Sequence, residues 1–295
     1  RIGGRWKNAK KGIPFSVMLV GASGCGRSSF VNTLCDKNVL PERDYSIYSK
    51  PLDTNVPELE IKNYNVEIEE DGMRISLTIT DTPGFGDNID NQKCFEKILN
   101  HIEMQFDNIL AEETRIKRNP RFQDNRIHAL LYFITPTGHG LRELDVELMK
   151  KLGPRVNVIP IIAKADSFTK QELKEFKAKI MEDVDHYHIP IYNFPYDPVE
   201  DDEDTIEENE ELKSMLPFAV ISHEEEIQEG KNDFKRIRRY PWGIIDVDDP
   251  DLCDTARLRF MLFNSHMTDL KLITHDSLYE SYRTEKLSRT GEYDE

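Results

Sequence analysis

Residues 21–28 read Gly21-Ala22-Ser23-Gly24-Cys25-Gly26-Arg27-Ser28, directly after the short apolar run 17–20. A short apolar run bounded by turn residues reads as a buried strand, and the glycines after it form a tight turn from which a helix can start. The pattern is the phosphate loop G-x-x-x-x-G-K-[ST], with Arg27 where lysine normally stands. Gly21, Gly24 and Gly26 let backbone N–H groups wrap a phosphate at a helix N-terminus, where Arg27 and Ser29 also lie, and Ser28 is placed to hold Mg²⁺. Taken alone, the stretch is also compatible with a plain glycine-rich strand–helix turn.

Two further motifs follow in the order a guanine-nucleotide fold requires. The run 75–79 leads into Asp81-Thr82-Pro83-Gly84, the place for an acid that holds Mg²⁺ beside a γ-phosphate sensor loop. The run 158–163 leads into Ala163-Lys164-Ala165-Asp166. There an Asp carboxylate can accept from the guanine N1–H and exocyclic amine while a Lys stem lies along the base. The expected ligand is therefore GTP or GDP, with Mg²⁺ only alongside GTP.

The remaining pattern supports an α/β chain. Runs 17–20, 75–79, 129–134, 158–163 and 218–221 predict buried parallel strands. Phe95, Ile98, Leu99, Ile102, Phe106, Ile109 and Leu110 form an apolar stripe at helical spacing, as do Leu144, Leu148 and Leu152, and Leu173, Phe176 and Ile180. Strands alternating with such helices predict a mostly parallel sheet flanked by helices, with ligands at the carboxyl ends of the strands. After Gly243 two further helices are expected.

Composition narrows the classes. The 295 residues carry 39 Lys+Arg against 55 Asp+Glu, a net charge of −16, which argues against nucleic acid as a partner. No window approaches the ~18 apolar residues of a membrane span, and Cys25, Cys35, Cys94 and Cys253 show no metal or disulfide spacing, so a reduced, cytosolic protein is expected. Cys25 is read as a neutral filler. Charge is uneven: residues 1–11 hold Arg1, Arg5, Lys7, Lys10 and Lys11 and no acid, whereas 200–211 hold nine acids in twelve positions. The acidic run predicts a solvated, mobile loop.

These motifs and their neighbours resemble the septins, the filament-forming GTP-binding cytoskeletal proteins. The resemblance rests on Asp81-Thr82-Pro83-Gly84-Phe85-Gly86-Asp87, on Ala163-Lys164-Ala165-Asp166 and on Thr137-Gly138-His139-Gly140-Leu141. It rests most of all on Arg238-Arg239-Tyr240-Pro241-Trp242-Gly243, with His266-Met267-Thr268-Asp269-Leu270 and Tyr279-Glu280-Ser281-Tyr282-Arg283. It covers about residues 12–285, and Arg27 with Arg118-Asn119-Pro120-Arg121 is most similar to fungal septins at the ends of the hetero-octamer.

The resemblance implies a basic segment 1–11, a G domain 12–237, a septin unique element with a C-terminal helix at 238–285, and a tail 286–295 without the family's coiled coil. It implies assembly with other septins, or a homodimer, through the nucleotide-side or the N/C-terminal interface. His139 and Trp242 are then interface residues, with Tyr240 and Trp242 also contributing to the core. Arg5, Lys7, Lys10 and Lys11 would meet anionic, phosphoinositide-bearing membrane, although a basic end can also be merely solvated. The implied location is the cytoskeleton at the inner face of the plasma membrane, at the septum or bud neck.

Several residues depart from the family. Arginine is a wide fork rather than a compact charge, and an outward-pointing Arg27 would leave phosphates underneutralised. Phe85 cannot orient water, and the family's water-positioning threonine aligns near Glu58, with Thr54 the nearest hydroxyl, so negligible hydrolysis is expected. Ser222 replaces a base-pocket glycine and Ile237 the glycine before Arg238, while Asp166 and Arg238, which packs on the base in septins, remain. The expectation is a structural subunit with a degenerate nucleotide site; the alternative is an active GTPase whose hydrolysis regulates assembly.

Overall fold

The computed structural model describes residues 12–40, 60–86, 91–199, 201–228 and 234–291. Residues 1–11, with the basic cluster, and Thr54 and Glu58 lie outside them.

The central sheet has six strands in the order β2-β3-β1-β4-β5-β6. These are β1 (Ile13–Gly21), β2 (Lys62–Glu70), β3 (Met73–Asp81), β4 (Ala129–Ile134), β5 (Val158–Ile162) and β6 (Phe218–Ala219). All neighbours run parallel except β2, which pairs antiparallel with β3 at the edge. Alternation along β1 and β4 explains why both faces are covered. Phe15, Val17 and Leu19, with Ala129, Leu131 and Phe133, enter one apolar layer; Met18 and Val20, with Leu130, Tyr132 and Ile134, enter the other. A strand buried on both faces reads as an unbroken apolar run, which made β1, β4, β5 and β6 legible; β3 instead alternates, with Ile75, Leu77 and Ile79 buried and Ser76 and Thr78 half-buried between them. Strand β2 reads Lys-Asn-Tyr-Asn-Val-Glu-Ile-Glu-Glu. Tyr64, Val66 and Ile68 alternate with Asn65, Glu67 and Glu69, the period-two pattern of a half-covered edge strand, which contains no unbroken apolar run.

The first layer is closed by α1 (Arg27–Cys35) and by the C-terminal helices; the second by α2 (Gln92–Glu113), α3 (Glu143–Leu152) and α4 (Lys170–His186). Helix α4 opens with a capping box in which Thr169 and Glu172 satisfy each other's backbone N–H groups.

The acidic run is not a mobile loop. It forms α5 (Glu203–Met215), with the Asp202 carboxylate accepting from the Thr205 N–H at 2.8 Å. Acids at a helix start are favoured by the backbone dipole, and Leu212 anchors the helix by complete burial.

A second, three-stranded antiparallel sheet comprises β7 (Glu225–Gln228), β8 (Phe234–Tyr240) and β9 (Gly243–Asp246). The boundary expected at 237/238 therefore falls inside β8. Beyond it come α6 (Thr255–Phe260), α7 (Met267–Ile273) and α8 (Glu280–Gly291), joined by π-helical turns at Met261–Ser265 and Thr274–Tyr279. Helix α8 continues past 285 into the expected tail and docks on α2. Tyr279 and Tyr282 pack on Phe106, and their hydroxyls donate to Glu113 (2.7 Å) and Asp107 (2.8 Å).

Candidate functional site

The expected site residues converge at the carboxyl ends of β1, β3 and β5. Gly24 and Gly26 take φ of 77° and 82°, the left-handed region that favours glycine, and α1 starts immediately after Gly26. A cradle of about 190 Å³ is lined by Gly24, Gly26, Ser29, Lys164, Ser222 and Arg238. Ser28 is half-buried and Ser29 exposed, both in the first turn of α1. Cys25 is buried beneath the loop and burial pushes its thiol up, which makes it the inert filler expected.

Arg27 points inward, not outward. Its side chain is buried, and Nη1 donates to the Thr82 carbonyl at 2.8 Å and to Thr82 Oγ1 at 3.3 Å, with Asp81 Oδ1 at 3.8 Å. The Thr82 hydroxyl in turn donates to the Leu19 carbonyl at 2.7 Å. The arginine thus ties the phosphate loop to the end of β3 and supplies the counter-charge of Asp81. A divalent ion at Asp81 would have to share the carboxylate with that guanidinium. With its carboxylate drawn toward Arg27, Asp81 offers an ion beside Ser28 a weaker partner than a free acid would.

The second motif presses on the loop. The Ser23 N–H donates to the Phe85 carbonyl at 3.1 Å, and a Cβ built on Gly84 would lie 2.7 Å from Ser23 Cα, so only glycine allows this approach. Phe85 itself turns into the core, edge-on to Phe95 at 5.5 Å, where it cannot serve a water molecule.

At the base end, Lys164 has φ of 53° and Asp166 sits on the following short 3₁₀ turn. Asp166 Oδ2 lies 3.7 Å from Arg238 Nε, and its buried Oδ1 has no hydrogen-bond partner. Arg238 also reaches Glu224 at 3.3 Å and lies over the Tyr240 ring at 5.5 Å. The loop's backbone N–H groups suit phosphate, and Asp166 stands ready to accept from a guanine-like donor, with the Arg238 guanidinium drawn toward its Oδ2 but not hydrogen-bonded to it. The cradle is also below the ~300 Å³ at which small-ligand pockets usually begin.

His139 is exposed on its loop between Gly138 and Gly140 (φ 77° and 101°). Trp242 is not in the core. It is 79% exposed at the β8–β9 turn, stacked on Tyr240 with ring centroids 4.7 Å apart. The sequence reading missed Arg142 and Asp145. The buried Asp145 carboxylate takes two hydrogen bonds from Arg142 (2.8 and 3.0 Å) and one from the Tyr132 hydroxyl (2.8 Å). Their i,i+3 spacing at the start of α3 was the available signal.

A glycine-turned loop at the head of a central parallel strand, an aspartate at the end of its neighbour and an Ala-Lys-Ala-Asp turn define a P-loop protein of the guanine-nucleotide type. Within that class the chain belongs to the septin family, whose family model matches residues 11–295. Septin homolog spn3 of Schizosaccharomyces pombe is 51% identical over 283 residues, covering 96% of this chain and 75% of its own length. Cell division control protein 11 of Saccharomyces cerevisiae is 49% identical over 284 residues, covering 96% and 68%. The crystal structure of Cdc11 from Saccharomyces cerevisiae superposes with a TM-score of 0.63 at 40% identity, over 93% of this chain and 100% of that one.

Proposed function

We propose that this chain is a structural septin subunit with a degenerate nucleotide site, polymerising with other septins into filaments or rings at division sites and hydrolysing little or no GTP. The observation that carries the reading is Arg27: it spends its charge on Asp81 and Thr82, where a working site would use Mg²⁺ and a free lysine. The inward Phe85 adds to it, since nothing at that position can orient water. A guanine nucleotide held by the loop, Lys164 and Asp166 would be a fixed part of the nucleotide-side interface, with His139 and Trp242 exposed beside it to meet a neighbouring subunit. The relatives' names, a septin homolog and a cell division control protein, support a septin role in cell division.

The test is the nucleotide content of the purified chain, by denaturation and anion exchange, together with GTP turnover. The expected result is no measurable turnover; stoichiometric release of GDP from added GTP would overturn the reading. Arg27→Lys should strengthen nucleotide binding, and no change would shift the defect to Ser222 and Glu58. Membrane attachment through Arg5, Lys7, Lys10 and Lys11 is part of the proposal. Binding to phosphoinositide-containing liposomes should fall when all four become Ala, and unchanged binding removes that part.

A further inference from the structure

Residues 135–142 join β4 to α3 and carry His139 near the middle of the loop. Three alternate N–H groups of this loop are held. The Thr137 N–H donates to the Thr135 carbonyl at 2.8 Å, the His139 N–H to Thr137 Oγ1 at 3.3 Å, and the Leu141 N–H to Asp183 Oδ2 at 2.8 Å. Asp183 stands on α4, 42 positions along the chain from Leu141. A second residue of that helix, Lys179, brings Nζ to the Gly138 carbonyl at 3.4 Å. The downstream end is pinned where Asp145 takes two bonds from Arg142 (2.8 and 3.0 Å).

The fit of Asp183 against the loop is close. A Cβ built on Gly140 would lie 2.5 Å from Asp183 Oδ2, so the carboxylate sits directly on glycine backbone, and Gly140 takes φ of 101° there. The carboxylate is half-buried and forms no ion pair with a described residue. An acid in the last turn of a helix also opposes the backbone dipole. What stabilises this carboxylate is therefore the loop and not α4. The His139 imidazole, by contrast, is exposed and makes no hydrogen bond with a described residue.

We propose that Asp183 is a positioning residue for the nucleotide-side subunit contact. It orders loop 135–142 before a neighbour arrives and so presents His139 on a rigid turn. This rests on the reading of His139 as an interface residue given above. Ordering a loop at the moment of docking subtracts from affinity, and an anchor that orders it beforehand removes that cost. Asp183 acts through Leu141 and Gly140 rather than on the neighbour.

The test is self-association of the full chain by sedimentation equilibrium, with His139→Ala marking the nucleotide-side contact. Asp183→Ala removes the acceptor and should weaken association by about tenfold or more, equivalent to 1.4 kcal/mol or above. Asp183→Asn keeps an acceptor oxygen and should restore association to within about twofold of wild type. In the His139→Ala background, Asp183→Ala should add less than about twofold, because both act through one loop; a merely structural role would add its full effect there. Association that responds to His139→Ala but not to Asp183→Ala overturns the inference alone. Association indifferent to His139→Ala, or none at all, overturns the interface reading and the inference with it. Lys179 is exposed, so Lys179→Ala decides the matter where Asp183→Ala fails to fold. That variant should associate about threefold more weakly, and unchanged association overturns the inference.

Discussion

Replacing Arg27 by Met keeps most of the buried stem and removes only the guanidinium. The wild-type group makes a charge-assisted hydrogen bond of 2.8 Å to the Thr82 carbonyl, a second of 3.3 Å to its hydroxyl, and a 3.8 Å approach to Asp81. A hydrogen bond from a charged donor contributes about 1.5–3 kcal/mol, and removing one partner of a buried ion pair costs about 3–5 kcal/mol because the other charge stays behind. Asp81 is 18% exposed, so water can reach the stranded carboxylate and the lower end applies. The expected loss is about 3 kcal/mol in urea unfolding followed by circular dichroism. Asp81→Asn in the Arg27→Met background should then cost less than in wild type, with a coupling of about 1 kcal/mol. A loss below about 0.5 kcal/mol, or strict additivity of the two changes, would refute the view that Arg27 is a strut between phosphate loop and β3.

Burial pushes the His128 imidazole down to about 4 from 6.5, and its Nδ1 accepts the Ser16 N–H at 3.0 Å, which only the uncharged nitrogen can do. The folded state takes up this proton less readily than the unfolded state. The stability His128 provides is therefore full above pH 6.5 and falls as pH drops toward 4, by about 3 kcal/mol; His128→Asn should flatten that slope in urea titrations from pH 7 to 4.5, and an unchanged slope would sink the assignment. Gly84→Ala forces a Cβ within 2.7 Å of Ser23 Cα and should cost about 1–3 kcal/mol by thermal unfolding. Asp145→Ala strands the fully buried Tyr132 hydroxyl and removes the anchor of Arg142, and should cost about 3 kcal/mol in the same assay. Wild-type stability in either variant would show that the packing or network is slack.

What could be read from residue order alone was what depends on local, repetitive physics. Four of the parallel strands announced themselves because both faces are buried, β3 by its alternating apolar residues, and the phosphate loop because left-handed φ values at Gly24 and Gly26 restrict those positions largely to glycine. Asp81, Lys164 and Asp166 were legible as the ends of such strands. The charge on residues 200–211 misled, because an acid count does not reveal Leu212 buried on the far side of a helix. Trp242 misled in the other direction: an aromatic residue reads as core, but at a two-strand turn there is no second layer to cover it.

Only the tertiary structure decided where the charges point. Sequence establishes that Arg27 replaces a lysine, and that Arg238 and Asp166 are both present. Whether an arginine reaches outward to a phosphate or inward to a carboxylate depends on which acceptors lie within its length, and those come from Asp81 and Thr82, 54 and 55 positions away. The same holds for loop 135–142, whose Leu141 N–H is held by Asp183, 42 positions away. Local propensity and periodicity are properties of neighbours in the chain; salt-bridge partners and cavities are properties of neighbours in space, and exist only once the sheet has brought distant strand ends together.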